Sequence, residues 1–437
     1  MSSYRSGAHL KLAATGALKH SCGVTTARQS GFPRNFLWGT ATAAHQVEGD
    51  NRHSDWWECE QDGRLPVKSG DACRHYERFA EDFDLARSLG NNAHRFSIEW
   101  SRIEPAPGQW DLAAIEHYRE VVRALRARGM EPVVTLHHFS HPAWFTRRGG
   151  WTRRDAVHLF AAYAERVGQA LAGDVRFWIT INEPTVYVKR ALVRGDWPPC
   201  RRHTWLQSLR ALRQLGRAHV AAYRILHAVR ADAMVGIAHS APYVVPCRTR
   251  GLAGMADGLA AWLRDLTLNR APFWMLGRAP HRVLDFIGLN YYTRQIVKRS
   301  SRGAGLLFGT ECKLSHHSEP RTFNSLGWEI YPDGLARVLR RFARHNLPLM
   351  VTENGLAAPD EAQRVDFLRR HVEAVKSAMQ GGVPVLGYFY WTLFDNFEWN
   401  EGFSAQFGLA ALEPGTLRRV PRPVAAAYAE ICREHSY

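Results

Sequence analysis

The stretch Phe177-Trp178-Ile179-Thr180-Ile181-Asn182-Glu183-Pro184 begins with a largely apolar, β-branched run, and a single carboxylate, Glu183, follows that run. A second run, Leu347-Pro348-Leu349-Met350-Val351-Thr352, ends in the same way at Glu353. Runs of this kind predict strands that are buried on both faces, as in a parallel sheet covered by helices. A carboxylate at the mouth of such a strand is poorly placed for packing and well placed to reach a ligand.

The same pattern repeats outward from these two runs, because short β-rich segments alternate with longer amphipathic segments from Phe32 onward. The predicted strands are 36–43, 94–98, 132–138, 177–182, 234–238, 286–291, 349–353 and 385–391. The predicted helices are 73–89, 112–128, 153–171, 206–229, 255–266, 334–345, 364–379 and 423–434. Eight alternations with right-handed crossovers predict an α/β fold, a single (β/α)₈ TIM barrel with its active site at the C-terminal strand ends. An open doubly wound sheet is disfavoured, since no G-x-G-x-x-G follows an early strand.

Residues 1–30 differ in composition from the rest of the chain. They carry Arg5, Lys11, Lys19 and Arg28, lack acidic residues and are rich in Ser, Thr, Ala and Gly. A transit peptide is one interpretation, because such peptides are basic and poor in acidic residues, although the apolar core of a secretory signal is missing. A disordered basic extension, or a start assigned too far upstream, is favoured over it. We predict an extension over 1–30 and one barrel domain over 31–437.

The composition narrows the possible partners and the compartment. The net charge is +16, but the basic residues are dispersed and no nucleic-acid-binding motif accompanies them, so we expect no nucleic-acid partner. No apolar run reaches the length of a membrane span, and we expect no membrane partner. The seven scattered cysteines lack C-x-x-C spacing, which favours reduced thiols and a cytoplasmic location over disulfides or a zinc site. The sequence carries no signal for an oligomeric state.

Polar side chains follow nearly every predicted strand. Because the C-terminal ends of barrel strands meet around one mouth, residues that are remote in sequence can share a pocket there. The candidates are Gln46, Arg95, His138, Asn182, Glu183, Asn290, Tyr292, Glu353, Trp391, Glu398 and Trp399. They predict a carbohydrate-sized site lined with amide, imidazole, carboxylate and indole groups. A metal cluster at 137–141 is disfavoured, because no H-E-x-x-H accompanies the histidines there, and we expect neither a metal nor a cofactor.

Six blocks of sequence resemble glycoside hydrolase family 1, the β-glucosidase-like family. They read FLWGTATAAHQVEG (36–49), HRFSIEWSR (94–102), TINEP (180–184), GLNYY (288–292), VTENG (351–355) and WTLFDNFEW (391–399). The resemblance covers residues 32–435 in family order. It implies a retaining β-glycosidase that hydrolyses terminal non-reducing, unphosphorylated β-D-glycosides by double displacement. The implied substrates are small β-glucosides, and possible further substrates are β-galactosides and β-fucosides.

The resemblance also implies roles for the candidate residues. Glu183 would be the general acid/base and Glu353 the nucleophile, so their environments must split their pKa values. Arg95, Asn290 and Tyr292 would support catalysis, and a cation at Arg95 would keep Glu353 ionised. The residues implied to bind the sugar are Gln46, His138, Asn182, Trp391, Glu398 and Trp399.

The match departs from the family pattern at three places. Phe139 stands where many members have tryptophan, Cys200 stands where glycine is usual, and the segment over about 244–284 is short. The short segment predicts a thinner barrel wall or a more open acceptor site. An anionic Glu398 is expected to repel a phosphate and to favour a neutral glycoside.

Two alternative functions remain open at this point. Transglycosylation would use the same two glutamates, with an alcohol in place of water. A non-catalytic glycan-binding barrel is disfavoured, because such proteins usually lack one of the two carboxylates and this chain has both.

Overall fold

Eight parallel strands form a closed barrel at the centre of the computed structural model, which describes residues 31–276, 280–312 and 321–435. Around the barrel they follow the order β1-β8-β7-β6-β5-β4-β3-β2, with bounds β1 (Leu37–Ala41), β2 (Ala93–Ser97), β3 (Glu131–His137), β4 (Phe177–Asn182), β5 (Met234–Ser240), β6 (Phe286–Asn290), β7 (Leu349–Asn354) and β8 (Val385–Trp391). The predicted (β/α)₈ barrel is confirmed, and each strand lies within two residues of its predicted bounds. The extension predicted over 1–30 lies outside the described residues.

One long helix follows each strand. The helices are α1 (His75–Ser88), α2 (Leu112–Ala127), α3 (Ala156–Leu171), α4 (Trp205–Val229), α5 (Gly251–Asp265), α6 (Pro332–Phe342), α7 (Glu361–Gln380) and α8 (Pro423–Glu434). Side-chain caps begin three of them, because Asp111, Thr204 and Asp360 accept hydrogen bonds from backbone N–H groups that have no partner within the helix. Shorter helical segments lie at Ala44–Val47, Asp55–Gln61, Trp100–Ile103, Ala143–Arg147, Gly150–Thr152, Pro184–Tyr187, Val188–Arg194, Leu266–Arg270, Ala271–Trp274, Pro280–Arg282, Gly305–Phe308, Ala343–His345 and Trp399–Glu401.

The β5–β6 crossover differs from the simple pattern. Helix α5 packs mainly on a small sheet of the strands Tyr243–Pro246, Arg294–Lys298 and Thr310–Glu311, which lies beyond the C-terminal ends of β5 and β6. The barrel side of the crossover is occupied by the short segments Leu266–Arg270 and Ala271–Trp274, in which Phe273 is buried against His239 and Phe342. The helix predicted over 255–266 is present as Gly251–Asp265, and it packs mainly on this small sheet.

Apolar side chains fill two layers. One buried cluster occupies the barrel interior and includes Ala93, Val133, Ile179, Met350 and Phe389. A much larger cluster lies between the strands and the helices. Across the described ranges, no helix combines the length and apolar character that crossing a bilayer would require.

Two further strands, Ala410–Leu412 and Arg419–Pro421, form an antiparallel pair after the β8 loop.

Candidate active site

The predicted site residues converge at the C-terminal mouth of the barrel. Strand pairing contributes directly, because Ala41 at the end of β1 lies opposite both Arg95 and Trp391. An unbroken series of hydrogen bonds and ring contacts connects all eleven candidates: Gln46, Arg95, His138, Asn182, Glu183, Asn290, Tyr292, Glu353, Trp391, Glu398 and Trp399.

Glu353, on β7, is held by two donors. Arg95 Nη1 donates to Oε1 at 2.6 Å, and Tyr292 Oη donates to Oε2 at 2.8 Å. Burial raises the pKa of Glu353, and the charge of Arg95 and the bond from Tyr292 oppose that rise. Arg95 thus lies where a cation was predicted beside this carboxylate, and its charge limits the rise in pKa that burial causes.

Glu183 follows β4 and has a different environment. Its Oε1 accepts a hydrogen bond from Asn290 Nδ2 at 2.9 Å, and Ser240 at the end of β5 also hydrogen-bonds it. Burial, followed by the charge of Glu353, raises the pKa of Glu183 to about 8. The backbone of Glu183 has φ +42°, in the left-handed region that is costly for a residue with a side chain. This strained turn directs the carboxyl away from the strand and into the mouth.

An amide network joins the two carboxylates. Asn182 Oδ1 accepts from Arg95 Nη2 at 2.8 Å and from Asn290 Nδ2 at 3.1 Å, and Asn290 interacts with both Glu183 and Glu353. The two glutamates are thus in one buried network and titrate as a coupled pair. The group beside the guanidinium loses its proton first.

Gly355 explains why the loop after Glu353 can close on the site. A Cβ at this position would lie 1.8 Å from the carbonyl oxygen of Trp391. Only glycine allows β7 and β8 to approach so closely here.

The opposite wall of the site combines polar and aromatic groups. Gln46 Nε2 donates to Glu398 Oε2 at 3.2 Å, and the Trp391 indole donates to the same oxygen at 3.4 Å. The imidazole of His138 stacks on Trp391 and Trp399 at centroid distances of 5.7 and 6.3 Å. An apolar plane bordered by hydrogen-bonding groups matches the alternating faces and edges of a sugar ring.

The charge of Glu398 differs from the sequence-based expectation. Burial, opposed by the hydrogen bond from Trp391, raises the pKa of Glu398 to about 8. This raised pKa disfavours the anionic form on which the expectation of phosphate repulsion rested. The groups that hydrogen-bond Glu398 are an amide and an indole, neither of which is a cation.

The histidines at 137–141 point to different partners. His138 accepts from Asn182, His141 faces Asp55 at 3.3 Å, and the ring of His137 packs edge-on against Trp151. Among the described residues, no group of three or more His, Cys, Asp and Glu side chains is arranged to hold a metal ion.

Sequence reasoning missed several contributors to the site. Ser240 contacts Glu183, and Thr352 Oγ1 donates to Asn290 Oδ1 at 2.6 Å. Both are polar residues at or near strand ends, which was the available signal. Trp197 was also missed; it packs on Phe139 and Trp399 at 4.8 and 5.5 Å.

Two departures from the family pattern have a structural account. The smaller ring of Phe139 fills the space beside Trp197 and Trp399. Cys200 adopts φ +57°, which is the region that glycine favours, and its thiol hydrogen-bonds that of Cys59.

Comparison with known proteins gives consistent matches. The sequence matches the family described as "Glycosyl hydrolase family 1" over residues 28–262 and 278–437. It is 30% identical to "Beta-glucosidase A" of Thermotoga maritima, over 92% of this chain and 98% of that protein. It is 32% identical to the "Bifunctional beta-D-glucosidase/beta-D-fucosidase" of Bifidobacterium breve, over 93% and 99%. The solved structure of a β-glycosidase from Pyrococcus horikoshii superposes with a TM-score of 0.85 at 37% identity, over 93% of this chain and 98% of that one.

Proposed function

The chain belongs to glycosyl hydrolase family 1 and is an O-glycosidase, and on that premise we propose that it hydrolyses unphosphorylated β-D-glucosides through Glu183 and Glu353. One observation carries the assignment of these two residues. Two buried carboxylates from β4 and β7 share one hydrogen-bond network, and only Glu353 has a cation beside it. That asymmetry supports one ionised and one protonated carboxyl, which the retaining reaction requires.

In the first step, the Glu353 carboxylate attacks the anomeric carbon and forms an ester as the glycosidic C–O bond breaks. Glu183 gives its proton to the departing oxygen, so the aglycone leaves as a neutral alcohol. The raised pKa of Glu183 supplies the proton near neutral pH.

In the second step, water attacks the same carbon, the ester bond breaks, and Glu183 takes the proton from the water. The change of role has a physical cause. The charge of Glu353 is one of the two largest influences that raise the pKa of Glu183, and esterification removes that charge. The pKa of Glu183 then falls, and the group becomes a base at the moment when a base is needed.

The preference for a neutral sugar rests on the surroundings of Glu398. Gln46 and Trp391 hydrogen-bond the Glu398 carboxyl, and all three groups can bind sugar hydroxyls. Neither Gln46 nor Trp391 is a cation, so a phosphate beside Glu398 would lack a compensating positive charge. The relatives named as β-glucosidase and β-fucosidase support glucosides as the first substrates to test and fucosides as the second.

A panel of p-nitrophenyl glycosides tests the proposal. We expect the largest kcat/KM on the β-D-glucoside or β-D-fucoside, much lower values on the 6-phospho-β-D-glucoside, and no turnover of the α-D-glucoside. Proton NMR of the first sugar released should show the β-anomer. A first product with the α-configuration, or a preference for the 6-phosphate, would contradict the proposal.

A further inference from the structure

The solvent-facing side of α5 is apolar. Its exposed side chains are Leu252, Met255, Leu259 and Trp262, which are 84, 72, 59 and 49% exposed. Their spacing of three, four and three residues places them along one face of the helix. A surface helix ordinarily turns its apolar stripe inward and its charges outward, so α5 is inverted.

Contacts on the inner face hold α5 in this orientation. Asp257 accepts two hydrogen bonds from the guanidinium of Arg248, at 2.7 and 2.9 Å, and one from the backbone of Arg299 at 2.8 Å. Asp265 is ion-paired with Arg341 and accepts from Asn269 Nδ2 at 2.9 Å. Turning the leucines inward would break these contacts and leave two carboxylates without their partners, so the exposed apolar face is a stable feature of the fold.

The short helix Gly305–Phe308 extends this face. It packs on α5, and Arg264 donates to the carbonyl oxygens of Phe308 and Gly309 at 2.9 and 2.7 Å. Leu306 and Leu307 are 45 and 56% exposed. We call the combined surface the α5 platform; it consists of Leu252, Met255, Leu259, Trp262, Leu306 and Leu307.

Basic residues flank the platform. Arg250 immediately precedes α5, and Arg299 and Arg302 precede the short helix; all three are exposed. Arg248 and Arg270 pair with the inner carboxylates Asp257 and Asp265. The cations that face solvent around the platform are therefore Arg250, Arg299 and Arg302, and the exposed Glu311 lies beyond the short helix. An apolar, Trp-containing helix face with arginines around it complements an anionic lipid surface, where the arginines meet headgroups and the apolar side chains enter the acyl boundary.

The platform lies on the same side of the barrel as the site. The strand Arg294–Lys298 beneath α5 begins two residues after Tyr292, and the strand Tyr243–Pro246 begins three residues after Ser240, which contacts Glu183. A surface bound to the platform is therefore close to the mouth of the barrel.

We propose that the α5 platform docks the protein peripherally on an anionic lipid surface. A consequence, which rests on the proposed function, is that the site receives glycosides whose apolar aglycone is held in that surface. The sequence-based expectation of no membrane partner rested on the absence of a spanning segment, and a helix of 15 residues lying in the interface needs no such segment.

Flotation of the full-length protein with vesicles tests the docking. The vesicles contain phosphatidylcholine alone or phosphatidylcholine with phosphatidylglycerol at roughly 2:1. We expect the protein to float with the anionic vesicles, to do so less at high salt, and to stay at the bottom with the neutral ones. The double variant Met255→Asp/Trp262→Asp should bind at least tenfold more weakly. Leu112→Asp, which changes a leucine of similar exposure on α2, should bind like the wild type.

Far-UV circular dichroism and the thermal unfolding midpoint show whether each variant is folded, and neither should change. The rate on a soluble aryl glucoside should also stay unchanged. If the apolar double variant does not fold, Arg250→Glu/Arg302→Glu tests the same surface through its charge and should lose anionic vesicle binding. A wild-type protein that does not float, or a folded platform variant that floats as well as the wild type, overturns the proposal. Sedimentation velocity gives a further test. If the wild type is a dimer, the platform variant is a monomer and the wild type does not bind vesicles, the platform contacts a second copy and the proposal is overturned.

The two proposals can fail separately. Flotation needs no substrate, so docking stands or falls without any catalytic assay. For the aglycone, octyl β-D-glucoside held in anionic vesicles should be hydrolysed several-fold faster by the wild type than by Met255→Asp/Trp262→Asp. Equal rates on that substrate would overturn the consequence for substrate presentation even if the docking itself is observed.

Discussion

Arg95 and Glu353, which are 258 positions apart in sequence, form a direct ion pair in which Nη1 lies 2.6 Å from Oε1. The arginine is fully buried, and its other amino group donates to Asn182. Its positive charge is therefore in a position that water does not screen, next to one glutamate of the pair. This placement distinguishes the surroundings of Glu353 from those of Glu183, whose pKa is raised by burial and by the charge of Glu353.

Removing the cation should shift the pH dependence of catalysis. In Arg95→Met, the pKa of Glu353 rises further, because a contribution that lowers it is lost. Since Glu353 must be ionised to attack, the acidic limb of kcat/KM should move to higher pH. Loss of a buried partner should also lower the free energy of unfolding by about 3–5 kcal/mol. Tyr292→Phe removes only a hydrogen bond and should move the limb in the same direction by less. An unchanged acidic limb in both variants would contradict this account.

Replacing the proposed nucleophile should abolish turnover. We expect Glu353→Ala to lower kcat on an aryl β-glucoside by at least about 10⁴-fold, because no ester can form. Azide should restore activity by attacking from the side that the carboxylate occupied, and NMR should identify an α-glycosyl azide. Glu373→Ala, which removes an exposed carboxylate on α7, serves as the matched control. Near wild-type activity in Glu353→Ala would refute the assignment.

The proposed acid should determine the basic limb of the pH profile. The pKa of Glu183 is about 8, and the first step needs its proton, so kcat/KM should fall as the pH rises through that value. In Glu183→Gln the basic limb should disappear. Substrates with poor leaving groups should slow by about 10²–10⁴-fold, whereas 2,4-dinitrophenyl glucoside should lose little in the first step. A basic limb that persists in the variant would assign that limb to another group.

Glu398 should contribute to recognition of the sugar. We expect Glu398→Ala to lower kcat/KM on the aryl glucoside by about 10–100-fold, because a sugar hydroxyl and the donors of Gln46 and Trp391 lose their partner. The measurement compares the glucoside with its 4-deoxy and 6-deoxy analogues. The penalty should shrink for the analogue that lacks the contacted hydroxyl. An equal penalty on all three sugars would indicate a structural role.

Arg364 should stabilise the loop that follows the nucleophile. Its buried guanidinium donates to the carbonyl oxygens of Leu356, Ala358 and Gln406 at 3.1, 2.7 and 2.6 Å. Arg364→Met leaves these acceptors without a donor and should lower the free energy of unfolding in urea by about 3 kcal/mol or more. Arg369→Met, at an exposed position, should change it by less than about 0.5 kcal/mol. Similar values for the two variants would contradict this role.

The strands and the catalytic candidates were predictable because their signals are local. The run from Phe177 to Ile181 is largely apolar and β-branched, and Pro184 follows shortly after it, so both the strand and its end are encoded within a few residues. The glutamates were recognisable because each ends such a run. Ser240 was missed, since one serine at a strand end is unremarkable until Glu183 is found beside it.

Ionisation and exposure could not be predicted in the same way. Glu398 was expected to be charged, but the side chains that exclude water from it come from distant parts of the chain. The orientation of α5 was equally inaccessible, because it depends on Arg248, Arg299 and Arg341 reaching its two aspartates.

The amino-acid sequence alone therefore determined the order of strands and helices, the closed barrel and the identity of the two glutamates at its mouth. These follow from periodicity and from residue types that lie close together in the chain. Only the tertiary structure decided how strongly Glu398 is shielded from water and which face of α5 meets the solvent. Both depend on the free energy of removing charged and apolar groups from water, and that quantity is set by neighbours that come together only when the chain is folded.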